Sequence, residues 1–207
     1  MLFKIIHMSL HLYINKALHL FELMRVRTKR RVVYLTFDDG PDDGITEFVL
    51  NELKKYNAKA TFFCVGACAE KHPYLLKRIL DEGHVIGNHT YSHSHGFQVD
   101  SRDYIKDVEL ANNFLKTRLF RPPFGALKFG QFIRLFLKYR IVYWSLISGD
   151  SDLDDFDYKK SMKRLKKTKK GDIVLFHFCK LHQDETSALL PRYLQWLEEN
   201  SFVSCAL

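Results

Sequence analysis

The sequence lacks the features that identify membrane-spanning, disulfide-rich and repeat proteins. No apolar run approaches the roughly 20 residues that a membrane span needs, although residues 1–24 are rich in Leu, Ile, Phe and Met. The four cysteines do not form a recognisable metal or redox spacing, so we expect buried free thiols and infer no oxidising compartment. No linker or low-complexity tract interrupts the 207 residues, a length typical of one domain.

The N-terminal segment also lacks a small-residue cleavage site after its weak apolar centre, so no cleavable signal peptide is predicted. Its apolar residues recur at helical spacing, at Ile6, Leu10, Ile14, Leu18 and Phe21. The first prediction for residues 1–28 is an amphipathic helix packed on the domain. The alternative is weak contact of residues 1–24 with a membrane surface. The expected location is therefore cytoplasmic or membrane-associated.

Positive charge is concentrated in one stretch. The formal net charge is +8, and Lys159–Lys170 contains eight basic residues and no acidic one. The favoured interpretation is a solvated helix face, with Met162 and Leu165 facing inward. The alternative is a patch that binds an acidic polymer or a membrane. Nucleic-acid binding is not predicted, because the stretch lacks interleaved aromatic residues for base stacking.

From Arg31 onwards, strand-like and helical patterns alternate. The predicted strands are Arg31–Phe37, Lys59–Val65, His84–Gly87, Ile141–Leu146, Asp172–Phe178 and Phe202–Ala206. The predicted helices are Ile45–Tyr56, Pro73–Glu82, Tyr104–Lys116, Gln131–Tyr139 and Thr186–Glu199. This alternation is typical of an α/β domain whose helices surround a parallel sheet, either a barrel or an open sheet.

Polar residues collect where the predicted strands end. They are Asp38 and Asp39 after the first strand, His89 and His93 after the third, Arg121 before a turn, Asp150 after the strand Ile141–Leu146, and His177 within the last long strand. In parallel α/β folds this edge of the sheet is where ligands bind. The distribution therefore predicts one functional site.

A metal site is predicted from a histidine pair and a carboxylate. His89 and His93 are four residues apart, which would let two imidazoles point the same way from a helical turn. The pair Asp38 and Asp39 is the best source of a carboxylate ligand. Two histidines and one carboxylate leave coordination positions open, as in catalytic sites. Because consecutive residues point in different directions, one aspartate could bind metal while its neighbour takes a proton from water.

Two further pairs would control protonation. Arg121 could keep the second carboxylate ionised. His177 could protonate a leaving nitrogen, with Asp150 holding it charged and oriented. Other polar and aromatic residues receive structural interpretations: helix capping for Asp42 and Asp43, and the core for Phe37 and Trp144. His182 could reach the site from its loop, which is the less favoured interpretation.

Five short motifs cover most of the chain, from about Val32 to Phe202. They are Thr36-Phe37-Asp38-Asp39-Gly40-Pro41, His89-Thr90-Tyr91-Ser92-His93, Arg121-Pro122-Pro123-Phe124, Trp144 with Asp150, and Leu175-Phe176-His177. In this order they resemble the motifs of the polysaccharide deacetylases, the nodulation-deacetylase homology domain or carbohydrate esterase family four. The resemblance implies a distorted seven-stranded (β/α) barrel formed by residues 29–207. It also implies removal of N-acetyl groups from amino sugars of a polysaccharide or glycan, which breaks a non-peptide C–N bond.

The resemblance also implies roles for individual residues. Asp38 would be the general base, and Asp39, His89 and His93 would bind one divalent ion, most commonly Zn²⁺, with Co²⁺ or Ni²⁺ as alternatives. Arg121 would pair with Asp38, and His177 would be the general acid supported by Asp150. The backbone N–H near Phe124 would stabilise an oxyanion, and Leu175 would line the pocket for the acetyl methyl group.

The sequence departs from the family pattern around the substrate. The fourth motif has Ile147 and Ser151 where Asp and Trp are usual, and Phe178 and Cys179 after His177 are less polar than expected. These departures leave two alternatives to the deacetylase. One is an O-acetyl esterase or cyclic amide hydrolase of the same fold. The other is a non-catalytic module that binds glycans or acidic polymers through Lys159–Lys170.

Overall fold

The computed structural model describes residues 23–152 and 155–207, in which helices alternate with the strands of an eight-stranded sheet. In chain order the elements are β1 (Val32–Asp38), α1 (Ile45–Lys55), β2 (Ala60–Cys64), α2 (Gly66–Lys71), α3 (Pro73–Asp81), β3 (Val85–Asn88), α4 (Ser101–Leu115), β4 (Leu119–Phe120), α5 (Phe129–Phe136), β5 (Arg140–Ile141), β6 (Leu146–Ile147), α6 (Tyr158–Leu165), β7 (Ile173–His177), α7 (Gln183–Glu199) and β8 (Val203–Ser204). Short 3₁₀ turns lie at Pro123–Gly125 and Lys180–His182.

Seven of the eight strands form a distorted, curled (β/α) barrel, which confirms the predicted fold. The strand order is β5-β4-β3-β2-β1-β7-β6, and β8 pairs with the start of β1. Every pairing between these named strands is parallel. The register places Asp38 beside His177 of β7 and beside Phe63 of β2. The carboxyl ends of the strands therefore meet at one edge, where the polar residues of the motifs were expected.

The core explains why these segments become strands and helices. All five residues of β2 are buried, as expected of a strand covered on both faces. Phe37 of β1 stacks on Phe62 with ring centroids 5.1 Å apart. Helix α1 buries residues at helical spacing, at Ile45, Val49, Leu50 and Leu53. The apolar face of this helix thus packs on β1 in one core cluster.

The predicted strand Ile141–Leu146 is wrong, because the chain there forms two separate two-residue strands. Between β5 and β6, Val142 bridges to Leu23, and the N–H of Tyr143 donates to the carbonyl of Leu23 at 3.0 Å. The carbonyls of Val142 and Tyr143 accept hydrogen bonds from Arg121 instead of from a neighbouring strand. The apolar run is therefore interrupted where its backbone binds a buried cation.

The predicted N-terminal helix lies outside the described residues up to residue 22. The remainder of that segment, residues 23–28, is not helical. Leu23 bridges to Val142, and Arg25 bridges to Asp172 and forms an ion pair with its carboxylate. Among the residues that the structure describes, no helix is both long enough and apolar enough to cross a membrane.

The basic stretch forms α6 and the turn after it. Asp157 caps α6 by accepting a hydrogen bond from the N–H of Lys160 at 3.1 Å. Met162 and Leu165 are buried, which confirms the predicted inward face, while most of the basic side chains are exposed. This packing agrees with the interpretation of the stretch as a solvated helix face.

Candidate active site

Two adjacent carboxylates leave the end of β1 in different directions. Asp38, the last residue of β1, is buried and accepts a hydrogen bond from Nη1 of Arg121 at 2.7 Å. Asp39 has a positive φ of 81°, which turns the chain out of the strand. Its Oδ1 lies 3.3 Å from Nε2 of His89 and 3.0 Å from Nε2 of His93. One aspartate therefore faces a cation and the other faces the histidine pair, as the motif predicts.

The histidine pair is brought together by a loop, so the predicted helical turn is wrong. Thr90 and His93 both have positive φ, 63° and 54°, which excludes a right-handed helix. The side chain of Asn88 holds the loop by accepting a hydrogen bond from the N–H of Thr90 at 2.9 Å. The rings of His89 and His93 still lie 5.1 Å apart between centroids.

The geometry of Asp39, His89 and His93 suits a divalent ion. Their ligand atoms all lie within 4.8 Å of one another. Nδ1 of His89 lies 2.8 Å from the carbonyl oxygen of Arg121, which can only accept, so Nδ1 carries the hydrogen. Nε2 then faces the carboxylate of Asp39, and either a shared proton or a metal ion can hold the two atoms together. These residues could therefore hold one metal ion.

The pKa of Asp39 is consistent with this environment. Burial alone would raise the pKa of its carboxyl, but hydrogen bonds with His89 and His93 outweigh burial and hold the pKa well below its usual range. Asp39 is therefore ionised at neutral pH, which is the state that binds a metal.

Arg121 is a fully buried cation at the back of the site. Its Nη1 donates to Asp38 and to Oγ1 of Thr36 at 2.8 Å, and its Nε and Nη2 donate to the carbonyls of Val142 and Tyr143. Its guanidinium carbon also lies 4.1 Å above the ring of Phe63. The fork geometry of arginine fixes the position of the Asp38 carboxylate.

On the other side of the site, His177 is paired with Asp150. Nδ1 of His177 lies 2.9 Å from Oδ1 of Asp150. The same Oδ1 accepts a hydrogen bond from the hydroxyl of Ser148 at 2.6 Å, and Oδ2 accepts one from the hydroxyl of Thr186 at 2.8 Å. Burial alone would lower the pKa of His177, but the charge and hydrogen bond of Asp150 raise it to about 9. His177 is therefore a cation at neutral pH.

The potential metal ligands and His177 line one open cavity of about 490 Å³. Its polar lining includes Asp38, Asp39, His89, His93, His177 and His182, and its apolar lining includes Phe124, Trp144, Ile147, Leu175 and Leu181. The core prediction for Trp144 is confirmed only in part, because this partly buried residue packs against a core cluster and also forms part of the cavity wall. Ile147 and Ser151, the positions that depart from the family motif, line the same cavity.

Phe124 stands at the rim of the cavity on a tight turn. Its side chain is 64% exposed, its φ is 58°, and its ring lies 4.8 Å from that of His93 between centroids. The N–H groups of Gly125 and Ala126 close the turn by donating to Pro122 and Pro123. Because prolines have no N–H, the N–H of Phe124 is the remaining backbone donor of this turn.

Other residues around the site differ from expectation. His182, the less favoured candidate, is buried in the cavity wall, with its ring 4.9 Å from that of His177. The predicted capping by Asp42 and Asp43 is wrong. Asp42 instead accepts from the N–H of Lys180 at 3.0 Å, while Asp43 contacts His72 and Tyr74. No local sequence signal identifies these contacts, because each joins segments far apart in the chain.

Comparison with known proteins agrees with this architecture. The family pattern of polysaccharide deacetylases matches residues 25–130. A peptidoglycan-N-acetylglucosamine deacetylase of Bacillus cereus is 33% identical over 184 residues, covering 86% of this chain and 86% of that protein. The peptidoglycan-N-acetylmuramic acid deacetylase PdaA of Bacillus subtilis is 34% identical over 163 residues, covering 72% of this chain and 61% of that protein.

A solved structure extends the likeness to three dimensions. The crystal structure of the Bc1960 peptidoglycan N-acetylglucosamine deacetylase superposes with a TM-score of 0.80 at 31% identity, covering 90% of this chain and 91% of that one. The barrel and its relatives define a hydrolase that acts on carbon–nitrogen bonds other than peptide bonds. The chain belongs to the polysaccharide deacetylase family.

Proposed function

We propose that this protein is a metal-dependent deacetylase that removes N-acetyl groups from amino sugars of a polysaccharide, and that peptidoglycan is its first candidate substrate. The observation that carries the proposal is the arrangement of three groups around one cavity. They are the potential metal ligands Asp39, His89 and His93, the pair Asp38–Arg121, and the pair His177–Asp150. The choice of peptidoglycan rests on the relatives, which are named for that substrate.

Asp38 is positioned to act as the general base. Its Oδ1 is held by Arg121, and its Oδ2 lies 3.8 Å from Nε2 of His89, beside the proposed metal ligands. A water molecule in the cavity could therefore lose a proton to Asp38 as it attacks the amide carbonyl. The fixed ion pair keeps the carboxylate oriented without occupying both of its oxygens.

A divalent ion bound by Asp39, His89 and His93, most commonly Zn²⁺, would polarise the amide carbonyl and make water more acidic. The N–H of Phe124, on the turn at the cavity rim, would donate to the oxygen on which negative charge develops. Leu175 lines the cavity and would accommodate the methyl group of the acetyl substituent.

His177 is positioned to protonate the leaving amine. It is a cation at neutral pH because Asp150 raises its pKa to about 9. Its ring lines the cavity in which the amide would lie. An amine is a poor leaving group unless it receives a proton, so this group supplies what amide hydrolysis requires.

The proposal is tested by acetate release from N-acetylated chito-oligosaccharides and from peptidoglycan. We expect release that a chelator abolishes and that added Zn²⁺ or Co²⁺ restores. Acetylated xylan serves as the comparison substrate, because an O-acetyl esterase would prefer it. A folded protein that releases no acetate from amino sugars with any metal would contradict the proposal.

The activity is also expected to depend on the charge of His177. Because Asp150 raises the pKa of His177, kcat/KM should fall as the pH rises through the pKa of this group and the acid is lost. Asp150→Asn removes the negative charge that raises the pKa of His177. The fall of kcat/KM at high pH should therefore move towards the unperturbed histidine pKa of about 6.5. The measurement is the pH profile of both proteins with the same metal. An unchanged limb in the variant would show that His177 is not the group that titrates.

A further inference from the structure

The second oxygen of Asp39 faces a different set of metal-binding side chains. While Oδ1 faces His89 and His93, Oδ2 lies 4.0 Å from Sγ of Cys179. Asp39, Cys179 and His182 each offer a ligand atom, and these atoms all lie within 4.8 Å of one another. Neither Cys179 nor His182 has a part in the proposed deacetylation.

The backbone holds this second set in a defined position. Cys179 directly precedes the 3₁₀ turn Lys180–His182 and His182 is its last residue, and the N–H of His182 donates to the carbonyl of Cys179 at 3.2 Å. The carboxylate of Asp42 fixes the turn by accepting from the N–H of Lys180. His182 is only 7% exposed, and its Nδ1 is buried with no hydrogen-bond partner among the described residues. A buried imidazole nitrogen without a protein partner is uncommon, so this nitrogen is available to a metal ion or a water molecule.

We propose that Asp39, Cys179 and His182 form a second metal site, separate from the one used in the proposed function, with Asp39 bridging the two ions through its two oxygens. One thiolate, one imidazole and one carboxylate form a ligand set that suits Zn²⁺ and Co²⁺ better than Mg²⁺ or Ca²⁺. Carboxylate-bridged ions commonly lie roughly 3.5–4 Å apart.

The second ion would oppose the action of His177. Its ligand His182 lies against His177, with ring centroids 4.9 Å apart, so the ion would bind directly beside the proposed general acid. It would also share the Asp39 carboxylate with the first ion, which would weaken the bond between Asp39 and that ion. We therefore expect the second site to be inhibitory, and zinc beyond the first equivalent to reduce turnover.

Cobalt titration of the metal-free protein tests the site without relying on activity. Thiolate bound to Co²⁺ produces a charge-transfer band in the near ultraviolet. We expect this band and two bound equivalents in the wild-type protein. Cys179→Ser should lose the band and one equivalent, whereas Cys205→Ser, which removes another partly buried free thiol, should keep both. Absence of the band from the folded wild-type protein, or its persistence in Cys179→Ser, would overturn the proposal.

Two further measurements separate this inference from the proposed function. In His89→Ala the first site is disrupted, yet the thiolate band should remain, and its loss would show that Cys179 does not belong to a separate site. For the inhibitory effect, excess Zn²⁺ should reduce acetate release by the wild-type protein and Cys205→Ser, with much less reduction in Cys179→Ser. Equal inhibition of all three proteins would overturn the inhibitory role while leaving the deacetylase proposal intact.

Discussion

Replacing Asp39 with alanine is expected to abolish metal binding and turnover together, whereas Asp38→Asn should retain the metal and lose turnover. The difference follows from the directions of the two carboxylates. Oδ1 of Asp39 lies 3.0–3.3 Å from the two histidine nitrogens, so its removal leaves a site with only two ligands. Asp38 faces Arg121 and the cavity, so its amide analogue removes the proton acceptor and keeps the three ligands.

Loss of a general base typically lowers the rate about 10²–10⁴-fold, which is the expectation for Asp38→Asn. Asp39→Ala should fall to the background rate, because the base and the acid then act without the ion that polarises the carbonyl. Metal content after dialysis, measured by mass spectrometry, and acetate release from N-acetylated oligosaccharides provide the two readouts.

A matched substitution separates these effects from general disturbance. Asp43→Asn changes an exposed carboxylate four residues after Asp39, which contacts His72 and Tyr74 outside the cavity, and it should alter neither metal content nor turnover. Near-normal turnover in Asp38→Asn would remove Asp38 from the role of base. Full metal content in Asp39→Ala would show that the ion binds elsewhere.

The sequence was most informative where local pattern and chemistry coincide. Strand β1 could be predicted because its apolar run ends at two adjacent acidic residues, Asp38 and Asp39. Strand β7 is likewise an apolar run that ends at a polar residue, His177, and parallel pairing places His177 beside Asp38. The residues alone predicted that Arg121 pairs with one of the two aspartates, and the family resemblance specified Asp38, which agrees with the observed 2.7 Å contact.

Elsewhere, long-range contacts override the local pattern. Residues 141–146 contain the composition of a buried strand, but the carbonyls of Val142 and Tyr143 bind a side chain that lies about twenty residues earlier. Trp144 therefore lines the cavity as well as packing against the core. The approach of His89 and His93 depends on positive φ at Thr90 and His93, which their spacing does not reveal. His182 reaches the cavity through a turn whose position depends on Asp42.

Replacing Arg121 with methionine is expected to destabilise the fold as well as to impair turnover. Arg121 is fully buried and donates to Thr36, Asp38, Val142 and Tyr143. Its removal leaves the Asp38 carboxylate, which is only 3% exposed, without its cation. Breaking a buried ion pair from one side costs about 3–5 kcal/mol in the free energy of unfolding. For a chain of this size, that corresponds to a fall in Tm on the order of 10 °C.

A double-mutant cycle identifies the source of the instability. In the variant that combines Arg121→Met with Asp38→Asn, no charge of the pair remains buried, so its loss of stability should be smaller than the sum of the two single losses. Arg121→Lys keeps the positive charge but not the planar fork, and we expect its stability to lie between that of the wild-type protein and that of Arg121→Met. Thermal and urea unfolding of the four proteins in the cycle measures the coupling. If the two single losses simply add, the instability comes from the lost carbonyl and hydroxyl hydrogen bonds, and the ion pair serves to orient Asp38 for catalysis and does not hold the barrel together.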